Sequence, residues 1–279
     1  SFDVFSPRTT SSSFITLAGL KKCMPTTSCG RWVKWAILLT SSVLVLLILA
    51  AAVFMVWYPP PFASLSGGLT LFGIVALVDV VLGPLGTLVV SNPRKPRREW
   101  RRDVAMIVGL QLMAMAYGVW TVYQARPVYL AFEVDRLRAV HAVDVPAELL
   151  GRAPAHLQRL PLLGPDLVAV RPFRDQDERM EVTLAALQGL EIGARPDLWM
   201  DFDEARPAVL SAAEPVSTLM AKLGAADRQL LEEAVHQTGM PLEQLLYLPL
   251  VSRTAGWTAL LDPKTARPLA YAAVDAFEY

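Results

Sequence analysis

The chain has 279 residues, of which 53% are hydrophobic and only 19% charged, with a mean hydropathy of +0.37. That is too apolar for an ordinary soluble domain unless the apolar residues are segregated into part of the chain. Charge is segregated too: 26 basic residues balance 26 acidic ones, yet residues 1–125 hold 11 basic and 4 acidic side chains, which leaves the remainder net acidic. An acidic folded half excludes a phosphate-backbone binder, so no nucleic acid partner is expected. Cys23 and Cys29 are the only cysteines and both precede the first apolar segment, so residues 126–279 cannot form a disulfide. That fits a reducing compartment or an exported domain that relies on its own core.

Residues 1–35 read as a cytoplasmic segment, Ser/Thr-rich over its first part, with Met24 an internal candidate start. From Ala36 to Val78 no charged residue occurs, a run far longer than the ~20 residues that cross a bilayer core. Pro59-Pro60-Pro61 and Gly67-Gly68 cut it, because prolines remove backbone donors and glycine weakens helix interiors. The expected membrane spans are therefore 36–58, 69–90 and, after a basic loop at 91–103, 104–125. Leu49-Ala50-Ala51-Ala52 resembles a signal cleavage site, but the strongly apolar Val53-Phe54-Met55-Val56 follows it, so the first span is expected to be retained. Lys21, Lys22, Arg31 and Lys34 precede span one, the loop 59–68 has no charge, and the second loop carries Arg94, Lys95, Arg97, Arg98, Arg101 and Arg102. The positive-inside rule then puts the N-terminus and the basic loop in the cytoplasm and residues 126–279 in the periplasm of a Gram-negative cell, as a multi-pass inner-membrane protein.

Asp79 is the eleventh of the 22 residues in span two. An Asp at the bilayer centre costs about 2.5–3.5 kcal/mol, which fourteen Leu, Ile, Val and Phe residues at roughly 0.3–0.6 kcal/mol each outweigh. The span inserts, but Asp79 must face another helix or be protonated. Pro84 kinks the helix, and Gly83 with Gly86 leaves a small-residue surface for close helix approach. Two readings stay open: Asp79 locks the bundle through Gln111 or Tyr117, or Asp79, Gly83, Pro84 and Gly86 form a notch that receives a partner. Proton conduction has no second ionisable group to relay through.

Residues 126–279 read as an α+β domain with an antiparallel sheet. Val128 to Asp135 alternates Val128, Leu130, Phe132 and Val134 against Tyr129, Ala131, Glu133 and Asp135, the pattern of a half-buried strand. Further strands are expected at 167–171, 246–251, 257–261 and 269–274, the last two joined by the turn Asp262-Pro263-Lys264-Thr265. A helix over 227–237 ends at Gly239 and Pro241, with His236 in its last turn. Arg126-Pro127 at the membrane boundary either orients this domain or contacts lipid headgroups, the plainer expectation being headgroups.

No catalytic chemistry is apparent. His141, His156 and His236 are the only histidines, and no zinc cluster, phosphate-binding glycine loop or nucleophile elbow is present, so neither an enzyme nor a cofactor or metal is expected. The acidic groups Asp175, Asp177, Glu178, Glu181 and Asp201, Asp203, Glu204 read as solvated surface carboxylates.

Trp57-Tyr58-Pro59-Pro60-Pro61, Asp79-Val80-Val81-Leu82-Gly83-Pro84-Leu85, Asn92-Pro93-Arg94-Lys95 and Gln124-Ala125-Arg126-Pro127-Val128-Tyr129, running into Phe132-Glu133-Val134-Asp135-Arg136, together resemble the TfpX/TfpZ family of type IV pilin accessory proteins. Leu248-Pro249-Leu250 before Arg253 is a weaker echo. The resemblance implies a chaperone-like inner-membrane protein that binds type IV major pilin and assists pilus assembly, with the assembly machinery and membrane lipids as further partners. It supplies no active site. A membrane-anchored envelope enzyme or transfer factor acting on surface polymer is the alternative, and it would require a cleft of convergent polar groups.

Overall fold

The computed structural model describes residues 40, 43–77, 96–253 and 256–278. Among the described residues, four helices precede the first strand: α1 (Val43–Val56), α2 (Phe62–Leu65), α3 (Gly68–Leu77) and α4 (Arg97–Gln124). Three prolines stop α1, and α2 starts directly after them. Gly67 takes a positive φ of 69° before α3 begins. A Cβ on Gly68 would stand 2.6 Å from the Tyr58 ring, so only glycine lets α3 start against that tyrosine. α4 begins after extended Pro96 and runs through the basic stretch without a break. Its 28 residues span about 42 Å.

Among the described residues, α4 is the one helix long and apolar enough to cross a membrane. Met106, Leu110, Met113 and Tyr117 project from it largely exposed. α1 and α3 are shorter and lie inside the expected first and second spans. The rest of the second span falls outside the described residues. α1 packs on α3 and α4 through Val53, Tyr58, Phe72 and Val122, with Phe54 edge-on to Phe72 at 5.4 Å.

The remaining chain forms β1 (Pro127–Glu133), β2 (Arg136–His141), α5 (Ala147–Leu150), β3 (Asp166–Val170), α6 (Gln176–Leu187), β4 (Trp199–Asp201), α7 (Arg206–Ala212), β5 (Glu214–Pro215), α8 (Val216–Lys222), α9 (Ala225–Thr238), β6 (Leu246–Val251), β7 (Gly256–Leu261) and β8 (Pro268–Ala272). The strands lie in the order β4-β3-β1-β2-β6-β7-β8, with β5 paired to β6. The sheet is mixed, which corrects the antiparallel expectation: β1 pairs parallel with β3, and β2 parallel with β6. Hairpins are legible locally and are antiparallel here, as in β6-β7-β8. The parallel pairs join strands separated by long crossovers, which no local pattern records.

β1 is buried along its whole length, not on one face as its alternation suggested. The alternation holds over 129–132, where Leu130 and Phe132 enter one core cluster and Tyr129 and Ala131 another, but Val128 joins the second cluster beside an irregularity in the β1-β2 register, and Val134 lies in the turn beyond the strand. Both faces are covered. On one lie Phe62, Leu65, Phe202 and Val209; on the other, Val145, Leu157, Ala194 and Trp199 cover the β1 end, while α8 and α9 pack Leu219 and Leu231 against Tyr247 and Leu260. The core therefore takes two side chains, Phe62 and Leu65, from the segment between α1 and α3.

The turn before β8 forms for the reason its sequence implies. Asp262 accepts from the Lys264 N–H and from Thr265 Oγ1, both at 2.9 Å, closing the loop on its own carboxylate. α9 ends where expected, at Gly239 with φ 67°, a left-handed cap that glycine adopts without steric cost.

Candidate functional site

One residue, Arg126, separates the C-terminal cap of α4 from β1, so the helices and the sheet meet without a linker. Arg126 is 3% exposed. Its Nη1 donates to the Tyr123 carbonyl at 2.8 Å, its Nη2 reaches the Pro161 carbonyl at 3.4 Å, and its guanidinium lies 3.8 Å from the Tyr123 ring centroid. Burial lowers its pKa, opposed by Tyr123, though a guanidinium remains charged. A group so enclosed cannot serve lipid headgroups. The headgroup contact favoured from the sequence is therefore corrected: Arg126 instead ties the end of α4 to the Pro161 carbonyl.

The segment 59–68 is fastened on both sides. Tyr58, fully buried, donates its hydroxyl to the Val122 carbonyl at 3.1 Å, and Trp57 meets Tyr123 edge-on at 5.2 Å. Toward the sheet, Ser252 Oγ donates to the Leu65 carbonyl at 2.7 Å, and Phe62 packs on Tyr271 with centroids 5.5 Å apart. The Gly164 N–H donates to the Val56 carbonyl at 3.1 Å. Beside this joint His141 is 1% exposed and neither ring nitrogen has a hydrogen-bond partner among the described residues. Its Nδ1 stands 3.4 Å from Asp144, which also pairs with Arg253. Burial alone would raise the Asp144 pKa, but His141 and Arg253 together hold it below the usual carboxylate value.

Between α1 and α4 opens an apolar groove of about 410 Å³, lined by Leu49, Trp57, Met115, Val119, Trp120 and Tyr123. Its lining is almost wholly apolar, with Tyr123 the one ionisable side chain. Its chemistry suits an apolar ridge, such as a helix face or a lipid chain. The sequence carried a partial signal for it in the aromatic residues at the ends of two apolar runs, but their convergence is a tertiary fact.

Asp79, Gly83, Pro84 and Gly86, the residues expected to form a partner notch, lie outside the described residues. The acidic groups are distributed among ion pairs and caps. Asp175 accepts from the Glu178 N–H at 2.7 Å at the start of α6, and Glu178 forms a two-point pair with Arg171 at 3.0 and 2.7 Å. Glu181 and Asp197 hold Arg195. Asp201 meets His156 at 2.6 Å, and Asp203 pairs with Arg206 and Arg267. Among the described residues, no group of three or more His, Cys, Asp or Glu side chains could hold a metal ion.

Apolar helices are joined without a linker to a mixed-sheet domain, with an apolar groove between α1 and α4 near the joint. Two fimbrial assembly proteins of Dichelobacter nodosus, of serogroups E1 and I, are each 35% identical to the chain over 238 residues, covering 85% of it and 92% of their own length. A third, of serogroups C1 and C2, is 38% identical over 112 residues, covering 40% of this chain and 86% of its own. The chain belongs to this family of fimbrial assembly proteins. Because 238 residues exceed all those that follow α4, the two longer alignments take in apolar helices as well as sheet. No protein-family model matches the chain, and no solved structure matches it.

Proposed function

We propose that this protein is a non-enzymatic accessory factor of type IV pilus assembly that resides in the inner membrane of a Gram-negative cell and holds the major pilin before its incorporation. The carrying observation is the 35% identity to fimbrial assembly proteins across nearly the whole of both chains. A pilin awaiting assembly presents one apolar helix in the bilayer and a head outside it, so its holder needs an apolar helical surface rigidly coupled to an exported one. The joint at Tyr58, Phe62 and Arg126 supplies that coupling. Segment 59–68 packs on the same body as the sheet, which agrees with two crossings between them and three in all. The basic residues Arg97, Arg98, Arg101 and Arg102 begin α4 about 42 Å from the sheet end, which supports a periplasmic sheet by the positive-inside rule. In this reading Asp79, Gly83, Pro84 and Gly86 receive the pilin helix, with Asp79 facing a positive or hydrogen-donating group such as the pilin N-terminus.

A photocrosslinker placed at Gly83 should capture pilin in intact cells, and deletion should abolish piliation without altering pilin modification. Asp79→Asn keeps hydrogen bonding and removes charge, whereas Asp79→Ala removes both. Normal piliation and unchanged capture with Asp79→Ala would remove that residue from the mechanism.

A further inference from the structure

A loop of unusual composition sits where the helices meet the sheet. Residues 160–165 read Leu160-Pro161-Leu162-Leu163-Gly164-Pro165, with no charge or side-chain hydrogen-bonding group, between Arg159 and Asp166. Leu162 is 61% exposed and Leu163 70%. Three contacts fix the loop to the ends of the apolar helices: the Gly164 N–H donates to the Val56 carbonyl, the Pro161 carbonyl accepts from Arg126, and Gly164, at φ 47°, packs against Pro59. The adjoining turn Ala142–Asp144 joins the same level through the Ala142 N–H, which donates to the Arg126 carbonyl at 3.0 Å, and there Val143 is 53% exposed.

The geometry points to a membrane-seating lip: Leu162, Leu163 and Val143 enter the interfacial zone of the outer leaflet and fix the height of the sheet domain above the bilayer. This rests on the reading that α1 and α4 cross the membrane. The partner is lipid, because the apolar lip continues the surface of the helices at their ends. Trp57 and Tyr123 lie at the same level, where aromatic residues favour the headgroup boundary. The buried Arg126 gives the lip its rigidity. A flexible loop would be free to leave the interface, but one pinned to Val56 and Arg126 must go where the helix ends go. Seated there, the lip holds the exported surface at a fixed distance from the groove between α1 and α4, so one partner can touch both.

The test uses the full chain with Cys23→Ser and Cys29→Ser, reconstituted in nanodiscs, with a spin label introduced in turn by Leu163→Cys, Met113→Cys and Val134→Cys. Met113, 65% exposed on α4, reports the bilayer interior. Val134, 74% exposed just past the far end of β1, lies about 26 Å along the strand direction from Arg126 and reports water. The expected result is a ratio of oxygen to nickel-chelate accessibility at Leu163 several-fold above that at Val134 and approaching that at Met113. A water-like ratio at Leu163 with a lipid-like one at Met113 overturns the lip while leaving the spanning helices intact. Water-like ratios at both positions overturn the spanning reading, and the lip with it. Protection of Leu163 from both reagents shows that protein covers the loop, which also overturns the proposal.

Discussion

At Glu178 the carboxylate is held at a pKa of about 2, chiefly by its hydrogen bonds to Arg171 and then by the Arg174 N–H, against an ordinary value of 4.5. A folded value below the unfolded one means that the ionised form favours the fold: this stabilisation is complete above pH 4.5 and is lost as pH falls toward 2. Glu178→Gln should therefore flatten the acid side of the stability profile in that window and leave neutral pH the less affected in slope, as read by melting temperature against pH. Val134 shows a different residue-scale effect. It sits at φ 50° in the two-residue turn between Glu133 and Arg136, a conformation that a β-branched side chain adopts at a cost. Val134→Gly should raise stability by about 1 kcal/mol, the relieved strain exceeding the added chain entropy, as measured by thermal unfolding of the full chain in detergent. The same residue explains why the β1-β2 hairpin was illegible: no Gly, Asn or Pro marks the turn, and apolar alternation runs straight through Val134, so the sequence reads one strand to Asp135.

Between elements, close approach decides. A Cβ on Gly118 of α4 would meet Val75 of α3 at 2.5 Å, whereas one on Gly109 of the same helix meets nothing within 4 Å. Gly118→Ala should cost about 1–3 kcal/mol through overpacking, while Gly109→Ala should be neutral or slightly stabilising, compared by melting temperature in the same detergent. Element types were largely readable. The strand at 246–251, the helix ending at Gly239 and the turn at Asp262 appear as their periodicity and turn chemistry imply. α6 was not recognised: Asp175 and Glu178 looked like part of an acidic patch, but they sit in the first and fourth places of a helix N-terminus, where an acceptor and a carboxylate satisfy free N–H groups.

Across the whole molecule, the helical and sheet regions share a core through Phe62 and Leu65, both at 5% exposure or less. Truncating Phe62 to Ala should cost about 3–5 kcal/mol, as for other large aromatic core deletions. Because Phe62 lies between α1 and α3 in sequence but under the sheet in space, the loss should loosen both regions together, which hydrogen exchange at β6 and β7 and at the outer end of α1 would register. If exchange changed only in the sheet, the joint would not couple the two. A coupled joint would carry movement of the helices to the sheet domain, as the proposed function requires.

Hydropathy period and turn chemistry are local properties, so the apolar runs, the proline break after α1, the charge asymmetry and five of the eight described strands were legible in the residues, whereas the basic stretch expected as a loop over 91–103 is helical from Arg97 onward. Short motifs carried a resemblance to pilin accessory proteins, and the relatives support the coarser statement that the chain is a fimbrial assembly protein. Tertiary structure alone decided that the sheet is mixed, that β1 is covered on both faces, that Arg126 is buried and that segment 59–68 belongs to the sheet's core. Each of these depends on which distant segments meet, and a one-dimensional pattern records the faces a residue can present but not what comes to cover them.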